Sequence, residues 1–371
     1  MLVLDEAVDP PVAFSAGLPG GIQLSRLPDP RNVREAMAAH DADGWKAAMT
    51  KEMTNLKSHD VYDLVLRTPG IRTLRLGFKN GVFEKNKARL VARGNHQRPG
   101  IDYNESFSPV MRLESLRTII SLAATRDLDI IQFDVTSAYL HGTLKVEVHM
   151  EQPEGYVVPG KESWVCRLKK GLYGLVQAGR TWNEEPNVHM TSEGFTATPK
   201  DPAMFVKNSW TDHDFAAAGF RVDDCVAIDS RKVLTALAKS VDTKYGTTGL
   251  GEVRWVLGML MERDRPARSI SVSQEAFIDS VLTCFNLTDA ATVSTPLAPG
   301  AHLSATDCPT TNDEKKEMGN RPYRELVGAL SWLALGTRPD IAFAASSLAR
   351  FGHNPGRVHW ETAKRVLRYR M

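Results

Sequence analysis

Two apolar, strand-length segments carry aspartates, and that arrangement constrains this chain more than any other feature of it. The first, Ile130-Ile131-Gln132-Phe133-Asp134-Val135, closes on an acid; the second, from Gly219 to Ile228, holds the pair Asp223-Asp224 between two apolar runs. Alone, an Asp-Asp between strands reads as a solvated turn, because Asp tolerates turn conformations and bonds its own backbone. Together the segments admit another reading, in which a hairpin beside a strand end brings three carboxylates into one place. Mg²⁺ is a hard ion that takes oxygen ligands, commonly one or two carboxylates plus substrate phosphates. Two such ions about 3.5–4 Å apart activate an attacking hydroxyl and steady a leaving pyrophosphate, which makes phosphoryl transfer the chemistry to look for.

The surrounding chain supplies a frame. Residues 1–30, rich in Pro, Gly and Ala, read as a flexible leader. Met37, Trp45, Met49, Met53 and Leu56 fall at helical spacing and predict two short helices broken near Asp41 to Gly44, with these side chains in the core. Residues 61–94 alternate as short strands, with a turn expected at Lys79-Asn80-Gly81, and Lys87 and Arg89 on one face of the returning strand. Arg112 to Thr125 reads as a helix with Leu113, Leu116, Ile120 and Ala124 inward, followed by a strand from Asp129 to Val135. A further helix around Thr181 to Ser192 contains Pro186. This mixed order predicts an α+β domain around an antiparallel sheet.

Composition excludes more than it selects. With 371 residues, 42% of them apolar, the chain has material for more than one core. A net charge of +2 makes no whole-chain case for a polyanion partner, so local clusters must carry it: Lys85 to Arg98, and Lys364 to Arg370. Cys166, Cys225, Cys284 and Cys308 are scattered, without zinc-ligand spacing or a disulfide pattern. The N-terminus lacks the charge and apolar core of a signal peptide, and no run of about 18 apolar residues exists, so a membrane role is not expected.

The strings KARLVARG, GIDYNESFSPV, QFDVTSAYLHGTLKVEVHMEQPEGY, VCRLKKGLYGLVQA, VDD, LGEVRWVLGM, VSTP, YRELVGAL and TRPDIAFA follow one another in order between residues 85 and 370. In this the chain resembles the copia-type retrotransposon reverse transcriptases. The resemblance implies a right-hand polymerase: fingers at 31–110, an antiparallel palm sheet at 111–245, a thumb-like primer-grip region at 246–300, and 301–371 as a connection to an RNase H domain absent from this sequence. It implies that Asp134, Asp223 and Asp224 are the catalytic, metal-binding triad for two Mg²⁺, with Mn²⁺ as the alternative ion. Tyr139 matches the aromatic that screens the sugar, sterically refusing the 2′-hydroxyl by which RNA and DNA precursors differ. Lys87 and Arg89 match the basic strand that meets the triphosphate, a point charge and a two-donor grip respectively. Tyr173, Gly174 and Gln177, following Leu172, resemble the segment beneath the incoming base and template, and Leu257 and Gly258 the turn that holds the primer end. The implied partners are an RNA or DNA template with primer and deoxynucleoside triphosphates, and family members act in cytoplasmic particles before nuclear entry.

The pattern is broken in places. Arg221 stands where the family has an aromatic before Val-Asp-Asp, and by strand alternation it is expected on the face of Asp223, where a guanidinium competes with metal. Val176, Gly179 and Thr248-Gly249 also depart, and Pro186 interrupts a segment helical in the family, at about 3 kcal/mol or more. Protease, integrase and RNase H signatures are missing. An active polymerase domain and an inactive nucleic-acid-binding remnant of one are therefore both carried forward; an unrelated Asp-dependent phosphohydrolase fits the carboxylates but not the motifs around them.

Overall fold

The structure is a computed structural model that describes Pro30 and residues 32–74, 76–83, 85–208 and 215–369; of residues 76–83, 85–87 and 250 it describes the backbone alone. The expected leader, Pro30 apart, lies outside the described residues. The chain divides into two compact units, one of Pro28–Val253 with Arg265–Ser269, the other including Arg254–Asp264 and Ile270–Met371.

In chain order the first unit runs α1 (Val33–Ala38), α2 (Ala42–Ser58), β1 (Tyr62–Leu66), β2 (Thr73–Leu74), β3 (Leu76–Phe83), β4 (Lys85–Ala92), α3 (Leu113–Arg126), β5 (Asp129–Val135), β6 (Thr143–Met150), β7 (Trp164–Lys170), α4 (Ala178–Ser192), β8 (Thr196–Ala197), β9 (Met204–Lys207), β10 (Ala216–Arg221), β11 (Asp224–Asp229), α5 (Arg231–Tyr245) and β12 (Thr247–Glu252). Its main sheet is antiparallel, in the order β12-β5-β11-β10-β9-β8. The α+β expectation holds. One face of this sheet buries Ile131, Phe133, Val135, Phe220 and Cys225 against Trp182 and Met190 of α4 and Leu234, Leu237 and Val241 of α5. Helix α3 lies against β5, β10 and β11, with Leu113, Leu116, Ile120 and Ala124 all buried as its periodicity predicts. Gly219 leaves room for Met111, which leads into α3: a Cβ there would displace the Met111 sulfur.

A second core gathers Met49 and Leu56 of α2, Ala88, Leu90 and Ala92 of β4, and Met150, Cys166 and Leu168 of the sheet β1-β7-β6-β2. Asp41 breaks the two N-terminal helices as expected, its side chain capping α2 by accepting from the Gly44 amide at 3.2 Å. Met37 differs from expectation: six-residue α1 buries Ala36 only, and Met37 is 39% exposed. The expected turn at Lys79-Asn80-Gly81 is also corrected. Strand β3 continues through it to Phe83, paired with β4 from Leu76↔Ala92 to Phe83↔Lys85. Alternate residues Ala88, Leu90 and Ala92 are buried, and a one-residue slip would turn them outward, so core burial sets the register and the local Asn-Gly signal yields.

The second unit holds the sheet β13 (Trp255–Val256), β14 (Met259–Asp264) and β15 (Ser269–Ser273), then α6 (Glu275–Cys284), α7 (Asn312–Gly319), α8 (Tyr323–Gly336), α9 (Ala342–Ala349) and α10 (Arg357–Leu367). Its core packs Phe277, Leu326, Leu330, Leu348 and Val366 around Tyr323, whose hydroxyl donates to the Leu348 carbonyl at 2.8 Å.

Candidate active site

The two acidic segments meet at one end of the β5–β11 pair. Asp224 opens β11 directly opposite Asp134 of β5, while Arg221 of β10 faces Asp224 and Thr248 of β12 faces Asp134. Directly opposed residues of an antiparallel pair project from the same face. Arg221, Asp224, Asp134 and Thr248 thus form one row across four strands, on the face away from the buried Phe133 and Cys225. Asp223 sits beside that row, second in the two-residue turn Val222-Asp223, and its carbonyl accepts from the Val135 amide at 2.8 Å. All three aspartates are half-buried.

The turn is strained. Val222 has φ +60°, and a positive φ at the first turn position but not the second is the type II′ pattern, which favours glycine there. For a β-branched residue such a conformation costs roughly 1–3 kcal/mol. Burial, and then the neighbouring Asp223 charge, raise the pKa of Asp224; a hydrogen bond from Gln132 Nε2 at 3.5 Å and the charge of Arg221 oppose this. The expected pairing of Arg221 with Asp223 does not form. Strand alternation stops at the turn, which leaves Arg221 opposite Asp224, and among the described residues no hydrogen bond or ion pair joins Arg221 to Asp223 or Asp224. Gln132, two residues before Asp134 and on its face, was legible from strand periodicity as a neighbour of the acids.

Next to the carboxylates lies an aromatic pair. Ser137, at φ +56°, turns the chain into the short helical turn Ala138–Leu140 that carries Tyr139. Its ring meets Tyr173 edge-on at 4.9 Å, and the Arg89 guanidinium lies 4.8 Å from the Tyr173 ring centre, a cation–π contact. Burial raises both phenols, Tyr173 to about 12, with the Asp223 charge adding to the rise and Arg89 opposing it. Arg89, Tyr139, Tyr173 and Asp223 therefore share one electrostatic neighbourhood. Lys87 has its backbone in β4, two residues before Arg89, and its side chain lies outside the described residues.

Gly174 has φ +87°, and a Cβ on it would collide with the Ala92 carbonyl, whose own amide bonds Tyr173 O at 2.8 Å. Gly94 approaches from the other side just as closely, so two glycines dock the end of β4 onto the loop before α4. Gln177 is buried and fully engaged: its Nε2 donates to Asp102 O at 3.1 Å and its Oε1 accepts from Gln97 Nε2 at 3.0 Å. Neither Gly94 nor Gln97 announces itself in the sequence. In the second unit, Leu257 and Gly258 form the two-residue turn between β13 and β14, with φ of 52° and 73°, the type I′ pattern. Among the described residues, no three His, Cys, Asp or Glu side chains come close enough to hold a metal as they stand, and no helix is long and apolar enough to cross a membrane.

The model of the family described as reverse transcriptase (RNA-dependent DNA polymerase) matches residues 74–299, more than half of the chain. The chain belongs to that family. It is 41% identical to the retrovirus-related Pol polyprotein from transposon TNT 1-94 of Nicotiana tabacum, covering 92% of this chain and 26% of that one. It is 33% identical to the corresponding polyprotein from transposon RE1 of Arabidopsis thaliana, covering 94% and 23%. This places it with the copia-type retrotransposon reverse transcriptases, and it spans about a quarter of the length of these curated relatives. A solved structure titled as a foamy viral protease-reverse transcriptase in complex with ds DNA matches 87% of this chain and 47% of its own at 10% identity and a TM-score of 0.42, too loose a likeness to carry an argument.

Within this reverse transcriptase chain two of the departures from family pattern, Pro186 and Gly249, are accommodated by the fold. Helix α4 runs unbroken through buried Pro186, held by Trp182 and Met190 in the core. Gly249, at φ +70°, falls in the register break of β12 between Thr248 and Gly251; a glycine enters such a bulge without strain.

Proposed function

We propose that this chain is the RNA-directed DNA polymerase domain of its polyprotein, extending a primer 3′-hydroxyl along an RNA or DNA template with deoxynucleoside triphosphates. The observation that carries the reading is the register Asp224↔Asp134, with Asp223 in the adjoining turn. The donor set is all carboxylate oxygen, which fits Mg²⁺ or Mn²⁺, and a divalent ion would offset the desolvation and like-charge repulsion that raise Asp224. Asp134, Asp223 and Asp224 are the residues that would hold the ions. When bound, two such ions would supply activation of the hydroxyl and stabilisation of the leaving pyrophosphate.

Tyr139 bears on the sugar, its ring set against Tyr173 and so unable to yield to a 2′-hydroxyl. Arg89 and Lys87 meet the triphosphate. Tyr173 and Gly174 line the base and template side, while Gln177, its amide already engaged with Gln97 and Asp102, acts by fixing that loop. Leu257 and Gly258 would hold the primer end. We assign residues 31–110 to fingers, 111–245 to palm, 246–300 to a thumb-like region and 301–371 to a connection. A second reading, binding without synthesis, is favoured by Arg221 opposite Asp224, a cation where a metal ion would have to compete.

The test is primer extension on an RNA template with Mg²⁺ and separately with Mn²⁺. Extension that disappears in Asp223→Asn is expected; template-primer binding without extension under either ion selects the second reading.

A further inference from the structure

Trp182 lies in α4, about forty residues from the acidic hairpin in sequence, yet it reaches that hairpin directly. Its indole Nε1–H donates to the carbonyl of Val222 at 2.6 Å. Val222 is the residue of the hairpin with φ +60°, and its carbonyl begins the peptide that leads into Asp223. Trp182 is itself tightly held: it is 2% exposed, with its ring edge-on to Tyr245 at 5.4 Å and tilted to His141 at 6.0 Å. Tyr245 in turn donates its hydroxyl to the Glu185 carbonyl of α4 at 3.0 Å. The donor therefore arrives on a rigid mount.

A two-residue turn with a β-branched residue at positive φ has lower-energy alternatives, and each would rotate the peptide between Val222 and Asp223. Such a rotation carries the Val222 carbonyl away from Trp182 and re-aims the Asp223 side chain. A buried indole N–H left without an acceptor resists that. From this we infer that Trp182 is a positioning residue: its N–H locks the strained Val222-Asp223 turn in the one conformation that presents Asp223 beside Asp134 and Asp224. The inference rests on the polymerase reading for its consequence in catalysis, while the lock itself is a matter of structure alone.

The two parts are tested separately. Trp182→Phe keeps an aromatic ring against Tyr245 and His141 and removes the donor together with part of the indole's volume, a packing loss common to both backgrounds compared. The lock predicts a lowered Tm for Trp182→Phe when Val222 is replaced by glycine, which adopts positive φ freely and has no strain to release, and a smaller lowering in the parent, where the freed turn relaxes and recovers its strain. In primer extension, Trp182→Phe should lower kcat about tenfold with KM for template-primer within about twofold, since a mis-aimed carboxylate disturbs the reacting geometry and not the grip on nucleic acid. The Val222→Gly background should recover most of that kcat. Equal Tm losses in both backgrounds overturn the lock, and unchanged kcat in Trp182→Phe overturns its part in positioning Asp223. Should Trp182→Phe fail to fold in either background, the donor-free Trp182→Met is compared in the same two backgrounds, and equal Tm losses there overturn the lock. If the parent chain extends no primer, the polymerase reading fails, and the coupling of the two Tm losses still decides the lock.

Discussion

Strands β5 and β11 carry aspartates at both ends of their pairing, and the two ends have opposite characters. At one end Asp129 lies opposite Asp229, and Asp129 is clamped by Arg231 Nε at 3.1 Å and by Arg265, which also reaches Asp127 at 2.9 Å. At the other end Asp134 lies opposite Asp224, whose carboxylate receives one long hydrogen bond from Gln132 and, among the described residues, no ion pair. The first end is built like a structural ion-pair network, Asp129 and neighbouring Asp127 matched by guanidinium partners while Asp229 accepts from the Ser230 amide. The second leaves like charges close together, partly buried, on a strained turn. Backbone strain and raised carboxylate pKa values of this kind cluster at functional sites. The same residue type on the same two strands is thus structural at one end and a candidate for chemistry at the other, and the difference lies in what faces it.

That contrast can be broken. The largest expected effect is Asp134→Asn, which should reduce primer extension by about a thousandfold or more, while Asp129→Asn leaves kcat within about twofold; comparable losses from both would erase the distinction between the ends. Next in size is Arg221→Tyr. Removing the one cation opposite Asp224 should raise Mg²⁺-dependent extension several-fold, about tenfold at most, and a variant no faster than the parent would show that Arg221 does not compete with metal.

Stability reports the contrast from the other side. Asp129→Asn loses partly exposed ion pairs and should cost about 1 kcal/mol by denaturant unfolding, whereas Asp224→Asn should be stabilising at pH 7. The sign follows from linkage: burial raises the folded-state pKa of Asp224 above its unfolded value, so between the two the folded state binds more proton and stability falls as pH rises. With metal chelated, the Tm gap between parent and Asp224→Asn should be closed below the ordinary carboxylate value, near pH 4, and open above it. This is the smallest of the effects, and a gap independent of pH would show that Asp224 is not strained by its burial.

How much of this was legible beforehand depends on the range of the forces involved. The helix over residues 113–126 and the strand over 129–135 were readable because the spacing of Leu113, Leu116 and Ile120, and the apolar run Ile130 to Phe133, are local patterns. The identities of Asp134, Asp223 and Asp224 were readable because acids embedded in apolar strands stand out. The Asn-Gly turn signal at Lys79-Asn80-Gly81 is overridden, since it is local and the register of β3 and β4 is set by Ala88, Leu90 and Ala92 entering a distant core.

The sequence by itself determined which side chains are chemically able to hold a divalent ion and which segments form strands and helices, because both follow from residue type and short-range periodicity. Tertiary structure alone decided that Arg221 faces Asp224 and not Asp223, that Gln177 is spent on Gln97 and Asp102, and that Trp182 bonds the Val222 carbonyl. Those outcomes depend on strand register and on contacts between residues some forty to eighty positions apart. Burial of whole faces selects such contacts, and no local pattern encodes them.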